Sequence, residues 1–174
     1  MASDGRLAGK VAIVTGGSRG IGRAISLRLA RDGAAVVVNY AGDEKRAAET
    51  VAAITAAGGR AWAAQARIGD IPATRKMVRQ AVETFGRLDI LVNNASYFPP
   101  PQPLTETTEE QFDALYGINA RGIFFTIQEA VRVMKDGGRI INITSMITLY
   151  GEKEFVAYGA SRAVSESFAQ SAAR

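Results

Sequence analysis

A short apolar segment that runs into a glycine-rich turn is the feature that most constrains the fold of this chain. The segment Val11–Val14 is too short for a helix and is rich in branched residues, as in a buried parallel strand. The turn Thr15–Gly22 follows it, and three apolar residues then recur every four positions: Ile21, Ile25 and Leu29. This period places their side chains on one face of a helix. The unit is therefore predicted to be strand, turn and helix.

The turn has the spacing G-x-x-x-G-x-G, and its glycines permit a sharp bend and close approach of the backbone to a ligand. Unpaired N–H groups at the start of the following helix favour an anion, and a pyrophosphate is the expected occupant. Glycines also serve any crowded strand-to-helix turn, so the spacing alone leaves a purely structural role open. The residues expected to touch a nucleotide here are Gly16, Ser18, Arg19, Gly20, Ile21 and Gly22.

Composition narrows the classes of function. The formal net charge of +4 comes from 21 basic and 17 acidic residues scattered along the chain, which argues against nucleic acid as a partner. Cysteine and histidine are both absent, which excludes disulfides, thiolate or histidine metal sites and a Ser-His-Asp triad. No apolar stretch reaches the roughly 18 residues of a membrane span, and the N-terminus has no secretory signal pattern. We therefore expect a cytoplasmic protein without a metal or membrane site.

Strand and helix patterns alternate along the chain. A helix is predicted from Asp43 onward and another with Asp70 as its cap, and further strands are predicted at 34–39, 60–65, 88–93 and 139–144. Successive strand-helix units imply right-handed crossovers and a parallel, doubly wound sheet. The expected fold is α/β, a three-layer α/β/α Rossmann fold, with one dinucleotide-binding domain over residues 1–174.

The segment 93–107 is rich in proline and is expected to be an irregular loop at the carboxyl end of the sheet, where ligands bind in such folds. Thr107 and Glu110 have the spacing of a capping box, which predicts a long helix ending at about Lys135. Asn119 is a polar residue in the apolar stripe of this helix. We therefore expect Asn119 to have a specific role.

The end of the second strand bears on the choice of cofactor. In dinucleotide folds a carboxylate there holds the ribose hydroxyls and would repel a 2′-phosphate. This strand ends in Asn39 and Tyr40, and the first acid after it is Asp43. Arg19 supplies positive charge on the same side, so the sequence favours NADP over NAD. A solvated turn arginine without a ligand is the alternative interpretation of Arg19.

A tyrosine is the available proton donor in a chain without histidine. Ketone reduction needs a proton donor beside the carbonyl oxygen as hydride reaches the carbon. Tyr158 and Arg162 are four residues apart on a predicted helix, so their side chains can meet, and a cation favours the phenolate. Ser145, at the end of the fifth strand, can hydrogen-bond the same oxygen. Tyr150 is rejected because Glu154 follows it by four residues and would oppose a phenolate.

The chain resembles the short-chain dehydrogenase/reductase family over essentially its whole length, through five features in order: Thr15–Gly22, Asn93-Asn94-Ala95, Asn119, Ser145 and Tyr158-x-x-x-Arg162. The resemblance implies that Tyr158 is the general acid/base and that Ser145 orients the substrate carbonyl. It also implies that Asn119 holds a water in a proton relay. The cofactor site would then include Tyr40, Ile68, Asn93, Ala95, Tyr158 and Arg162 as well as the glycine turn.

Four departures from the family pattern accompany this resemblance. Arg162 stands where the family has lysine; it keeps the charge but cannot give up a proton. Ser96 replaces a glycine, as in some pteridine reductases, and Arg67 replaces an aspartate that contacts adenine, which leaves Ile68 as the expected contact. Members of the family also continue through further strands, so the chain resembles one truncated at its C-terminus. Its last strand would leave an open edge that another chain covers, or a marginally stable protein.

The resemblance implies an NADP(H)-dependent oxidoreductase that interconverts a small ketone and a secondary alcohol, similar to 3-oxoacyl-carrier-protein or pteridine reductases. An alternative from another class is a nucleotide-binding or interaction protein without turnover, impaired at Arg162 and by its short C-terminus. A third is a fragment of a longer enzyme. A homo-oligomer, dimer or tetramer, paired through the helices that carry Asn119 and Tyr158 is expected by resemblance alone.

Overall fold

Strands and helices alternate along the computed structural model, which describes residues 5–172. The strands are β1 (Val11–Val14), β2 (Ala35–Tyr40), β3 (Arg60–Gln65), β4 (Ile90–Asn93) and β5 (Arg139–Asn142). The helices are α1 (Gly20–Arg31), α2 (Glu44–Ala56), α3 (Ile71–Phe85), α4 (Glu109–Tyr116), α5 (Ile123–Val133), α6 (Ile147–Tyr150) and α7 (Val156–Ala172). A 3-10 turn covers Leu104–Glu106, and a π-helical segment, Gly117–Gly122, joins α4 to α5.

The five strands of the described chain form a parallel sheet in the order β3-β2-β1-β4-β5. This confirms the predicted doubly wound α/β fold. In the centre, Val14 pairs with Val38 of β2 and Val92 of β4. Successive side chains point to opposite faces, so Ile13 joins one buried apolar cluster and Val14 the other. The central strands are continuously apolar in sequence because both faces are covered.

The start of β4 is tied to the start of β1 by a carboxylate. Asp89 accepts hydrogen bonds from the Val11 amide at 3.0 Å, from Lys10 Nζ at 3.2 Å and from the Arg87 guanidinium. Burial raises the pKa of Asp89, but the hydrogen bonds outweigh it, so the pKa lies below its usual value. β4 begins at Ile90, two residues later than predicted.

Asp43 and Asp70 cap the helices that they are predicted to begin. The Asp70 carboxylate accepts a hydrogen bond from the Ala73 amide at 3.0 Å, and Pro72 occupies the first turn of α3. The Asp43 carboxylate accepts from the Arg46 amide, also at 3.0 Å. Both predicted helix starts are therefore confirmed.

The capping box of the next helix is shifted by one residue from the predicted pair. The Thr108 hydroxyl accepts from the Gln111 amide at 3.3 Å, and the Gln111 side chain accepts from the Thr108 amide at 2.9 Å. The predicted pair, Thr107 and Glu110, is wrong because Thr107 caps the end of the preceding 3-10 turn. Its amide donates to the Leu104 carbonyl at 3.3 Å.

The predicted long helix is also interrupted by the π-helical segment and ends at Val133 rather than near Lys135. Gly122, the last residue of this segment, lies against the backbone of Ile68. A Cβ at Gly122 would be 2.4 Å from the Ile68 carbonyl oxygen. The helix thus needs a glycine here to lie close to the loop after β3.

β5 lies at one edge of the sheet, which agrees with the prediction that the fifth strand leaves an open edge. Ile141 of this strand is exposed, and so are Phe124 and Val131 on α5. Apolar side chains of the last strand and of α5 therefore reach the surface. Among residues 5–172, we find no helix with the length and apolar character needed to span a membrane.

We predict that Gly122→Ala destabilises the protein by about 1–3 kcal/mol, because the added methyl overlaps the Ile68 carbonyl. Gly117→Ala is the matched control, since nothing lies within 4 Å of a Cβ there and the residue is also helical. The control should be neutral or slightly stabilising. Urea unfolding measures both free energies, and equal stability of the two variants would contradict the packing described.

Candidate active site

A groove of about 730 Å³ opens at the carboxyl ends of β1, β2 and β4. We call it the turn groove. Its walls come from the glycine turn and the start of α1, from the segment after β2, and from the segment after β4. Its lining residues are Gly16, Ser18, Arg19, Gly20, Ile21, Gly22, Tyr40, Ala41, Gly42, Asp43, Arg46, Asn94, Ala95 and Ser96. The groove lies where open α/β sheets bind ligands.

The glycine turn brings the start of α1 close to the end of β1. A Cβ on Gly22 would be 2.2 Å from the Gly16 carbonyl oxygen and 2.5 Å from Nδ2 of Asn94, so a side chain is excluded there. Gly20 has a φ of +52°, a conformation that favours glycine. Arg19 stands at the N-cap without a side-chain capping bond, and the first turn of α1 has no acidic residue. The N-terminus of α1 is thus suited to an anionic ligand.

Two buried side chains hold the turn in place. Thr15 Oγ1 accepts hydrogen bonds from the amides of Asn94 at 2.9 Å and Ala95 at 3.0 Å. On the other side, Asn39 Oδ1 accepts from the Gly16 amide at 3.1 Å. The side chain of Asn39 is therefore used by the protein itself. The end of β2 offers the ligand no acidic side chain before Asp43.

Two arginines give the groove positive charge. Arg19 is exposed at the N-cap of α1, and Arg46 reaches the groove from the first turn of α2. Arg46 pairs with Asp43 at 3.2 Å, but both side chains remain about half exposed, so the pair is solvated and weak. Sequence reasoning missed Arg46 because Asp43 and the residues after it were interpreted only as a helix start.

Most residues predicted to touch a cofactor line the turn groove. Ile21 is 64% exposed there, whereas Ile25 and Leu29, which the period places on the same helix face, pack on the core. Ile68 and Asn93 are buried, and neither lines the groove. Their contact with a cofactor stays a prediction.

Asn119 connects the loop after β4 to the helix that carries Tyr158. Its Oδ1 accepts from the Tyr97 amide at 2.9 Å and from Ser96 Oγ at 3.2 Å. Its Nδ2 donates to the Tyr97 carbonyl at 2.9 Å and to Ser161 Oγ at 3.1 Å. These hydrogen bonds explain why a polar residue lies in an apolar stripe. One of them also provides an acceptor for the Ser96 hydroxyl. The water-holding role of Asn119 stays a prediction.

A second asparagine bridge, which sequence reasoning missed, ties α7 to the sheet. Asn142 Oδ1 accepts from Asn93 Nδ2 at 2.8 Å, and Asn142 Nδ2 donates to the Ser165 carbonyl at 2.7 Å. The sequence does contain a signal for this bridge, because β4 and β5 each end in an asparagine. Together with Asn119, this bridge positions α7 against the ends of β4 and β5.

Tyr158 and Arg162 are both buried on α7, with 8% and 1% of their surfaces exposed. Burial lowers the pKa of the Arg162 guanidinium, although Tyr158 and Glu166 lie close enough to oppose this shift. Nε and Nη1 of Arg162 are buried and have no hydrogen-bond partner in the described part of the chain. Tyr158 and Arg162 are therefore close enough to interact electrostatically, and the guanidinium has donors to offer.

Ser145 is less closely engaged with this pair. It is half-buried after β5, and its Oγ accepts from the Ile147 amide at 3.4 Å. No hydrogen bond joins it to Tyr158 among the residues that the structure describes. Tyr150, the rejected alternative, is exposed. Any shared contact of Ser145 and Tyr158 with a substrate oxygen stays a prediction.

The fold and the site define a doubly wound α/β protein with a charged groove and a buried tyrosine-arginine pair. A family model for short chain dehydrogenases matches residues 10–174. The chain belongs to the short-chain dehydrogenase/reductase family.

Individual relatives agree with this assignment. Hydroxynaphthalene reductase-like protein Arp2 of Metarhizium brunneum is 42% identical over 168 residues, which cover 95% of this chain and 62% of the relative. A short chain dehydrogenase from Burkholderia cenocepacia, solved in complex with NADP, superposes with a TM-score of 0.94 at 43% identity, covering 97% of this chain and 69% of that one. The angucycline C-6 ketoreductase LanV, solved with bound NADP, gives 0.89 at 42% identity, with 94% and 66% covered.

The chain spans 57–62% of the length of the curated relatives that it matches. These relatives are therefore longer than this chain, as the resemblance predicts.

We predict that Thr15→Val lowers the free energy of unfolding by about 1–3 kcal/mol, because two amides lose their acceptor while the buried shape is kept. Thr15→Ser, which keeps the hydroxyl, is the control and should lose less. Chemical denaturation compares the two. A valine variant as stable as the serine variant would show that Thr15 Oγ1 does not support the turn.

Proposed function

We propose that the protein is an NADP(H)-dependent oxidoreductase that interconverts a ketone and a secondary alcohol, with Tyr158 as general acid/base. The observation that carries the proposal is the buried Tyr158 beside a cation, Arg162, whose Nε and Nη1 have no hydrogen-bond partner among residues 5–172. A buried donor without an acceptor is costly, so these atoms are suited to a bound hydroxyl group.

The residues of the turn groove fit a dinucleotide. The uncapped N-terminus of α1 suits a pyrophosphate, and nothing lies within 4 Å of the Cβ position of Gly20, which lines the groove. Arg19 and Arg46 would face a 2′-phosphate, and the first carboxylate after β2, Asp43, already accepts from Arg46. The NADP-bound relatives support this choice of cofactor. Ile68 and Asn93 would contribute contacts of their own, and Arg162 would hold ribose hydroxyls.

The chemistry divides between cofactor and protein. A bound nicotinamide supplies hydride to the carbonyl carbon or accepts it from the alcohol. Tyr158 donates the proton that the carbonyl oxygen needs in reduction and takes it back in oxidation. The positive charge of Arg162 lies close to the phenol from which this proton leaves. Ser145 orients the carbonyl through a hydrogen bond.

Arginine in place of lysine changes how the phenol is reprotonated. A guanidinium holds its proton throughout, so the proton of Tyr158 must be exchanged along a path that does not pass through Arg162. Asn119 would hold a water on such a path. The positive charge and the donors survive the replacement, while the relay through that side chain does not.

A second candidate function is nucleotide binding without turnover. It is favoured by the buried guanidinium at a position where the family has lysine. It predicts the same affinity for NADPH with no consumption of NADPH by any ketone.

We further propose one nucleotide-binding domain over residues 1–174 that acts on small carbonyl or alcohol substrates in the cytoplasm. Self-association would use the helices that carry Asn119 and Tyr158, and Phe124 and Val131 of the adjoining α5 are exposed. Burial of such side chains in a dimer removes apolar surface from water.

We predict that Tyr158→Phe reduces ketone-dependent oxidation of NADPH by about 10²–10⁴-fold, since the phenyl ring keeps the packing but has no proton to give. NADPH absorbance at saturating ketone measures turnover, and fluorescence titration checks that NADPH still binds. Arg162→Lys tests the second candidate in parallel: a turnover that appears only in this variant would assign the wild-type chain to binding. Full turnover by the Tyr158→Phe variant would refute the assigned chemistry.

We predict that Arg19→Ala and Arg46→Ala each weaken NADPH binding by roughly 10-fold to 100-fold and leave NADH binding little changed, because only NADPH carries the 2′-phosphate. Arg23→Ala is the matched control, since Arg23 is exposed on α1 but does not line the groove. Calorimetric titration with both nucleotides measures the effect. An equal loss for NADPH and NADH would contradict a 2′-phosphate contact.

A further inference from the structure

Residues 143–150, which follow β5 and include α6, are fastened to α7 by a side chain that the proposed chemistry does not use. We call them the Ser145 segment. Thr148 Oγ1 lies 2.8 Å from Oε1 of Glu166 on α7 and 2.7 Å from the carbonyl oxygen of Ser145. A hydroxyl has one proton, so the two oxygens share it in a bifurcated hydrogen bond. Glu166 is therefore connected to Ser145 through a single residue.

A second contact holds the same segment against α7 two helical turns earlier. A Cβ on Gly159 would be 2.9 Å from Cγ2 of Ile147, so the Ile147 side chain lies directly against the backbone of α7 there. Gly159, Arg162 and Glu166 are spaced by three and four residues, which places them on one face of the helix. The Ser145 segment thus contacts α7 on either side of the buried Arg162.

The hydroxyl of Ser145 is directed by its backbone rather than by strong bonds of its own. Its Oγ accepts one long hydrogen bond, 3.4 Å, from the Ile147 amide, whereas the shorter bond from Thr148 Oγ1 ends on the backbone carbonyl. The position of the hydroxyl therefore depends on how firmly the Ser145 segment is fixed. Glu166 supplies the hydrogen bond that fixes this segment to α7.

We propose that Glu166 is a positioning residue that, by holding Thr148, fixes Ser145 where its hydroxyl orients the substrate carbonyl. This inference rests on the proposed function, because it deepens the role that Ser145 has there. Glu166 acts through two other residues and is not itself a catalytic residue. Orientation of reacting groups contributes strongly to rate, so a small displacement of Ser145 lowers turnover while NADPH still binds.

A charge-balancing role for Glu166 makes a different prediction. Glu166 follows Arg162 by four residues, and its charge opposes the effect of burial on the pKa of that guanidinium. If Glu166 only balances this cation, Glu166→Gln is as harmful as Glu166→Leu, and Thr148→Val is harmless. If Glu166 positions the segment, glutamine rescues it because an amide oxygen still accepts from Thr148. Leucine at 166 and valine at 148 then both release the segment.

The test measures kcat and KM for reduction of ethyl acetoacetate and the dissociation constant of NADPH. We expect Glu166→Leu and Thr148→Val each to lower kcat about tenfold, with NADPH affinity unchanged within about twofold, and Glu166→Gln to keep the wild-type kcat. Thr55→Val is the matched control, because the Thr55 hydroxyl also donates to a helix carbonyl, at 2.9 Å, but on α2. Wild-type kcat in Glu166→Leu, or a glutamine variant as slow as the leucine variant, overturns the proposal.

A double variant shows whether the effect passes through Ser145. In Ser145→Ala the orienting hydroxyl is already absent, so adding Glu166→Leu should change kcat by less than about twofold. A further tenfold loss in that background would mean that Glu166 acts on another part of the site, and it would overturn the proposal. Melting temperatures confirm that the variants are folded.

Hydrogen exchange tests the tie without turnover and so separates this proposal from the proposed function. The amides of Thr148 and Leu149 are hydrogen-bonded within the Ser145 segment, at 3.1 and 3.0 Å. We expect a peptide covering residues 146–151 to exchange about fivefold faster in Glu166→Leu and at the wild-type rate in Glu166→Gln. A wild-type protein that reduces no ketone would count against the proposed function and leave this measurement to decide. Equal exchange in wild type and Glu166→Leu would overturn the positioning role.

Discussion

The close approach of Gly22 to the Gly16 carbonyl and the Asn94 side chain is the constraint on which the rest of the site depends. It allows α1 to start immediately above the end of β1, so that the amides of its first turn face the groove. Thr15 and Asn39 then hold the turn by hydrogen bonds to backbone amides on both sides. A side chain at Gly22 would separate the helix from the sheet and disperse the groups that suit an anion.

The second half of the site is positioned by asparagines rather than by apolar packing alone. Asn119 joins the loop after β4 to α7, and Asn142 joins β4 and β5 to the same helix. Each amide can donate and accept at once, so it specifies the distance between two elements in a way that apolar contacts do not. These bonds fix the position of α7 and therefore of Tyr158 and Arg162. The turn groove and the buried pair are thereby held by one connected network at the carboxyl end of the sheet.

Much of this fold could be predicted from the sequence because its signals are local. Branched apolar runs, glycine turns and aspartate caps each report on a few neighbouring residues, and the strands and the helices α2 and α3 follow from them. The capping box was misplaced by one residue because the 3-10 turn before it has no distinct pattern. The π-helical segment, the core position of Ile68 and the bridge through Asn142 depend on contacts between residues distant in sequence. Arg46 was missed for a related reason, since only the folded chain brings the first turn of α2 to the groove.

The most direct test of the central claim is a crystal structure of the protein grown with NADPH. We predict the diphosphate within about 3 Å of the backbone amides at the start of α1, and the nicotinamide beside Tyr158 and Arg162. A nucleotide bound elsewhere while the turn groove stays empty, or a nicotinamide that does not reach Tyr158, would contradict it.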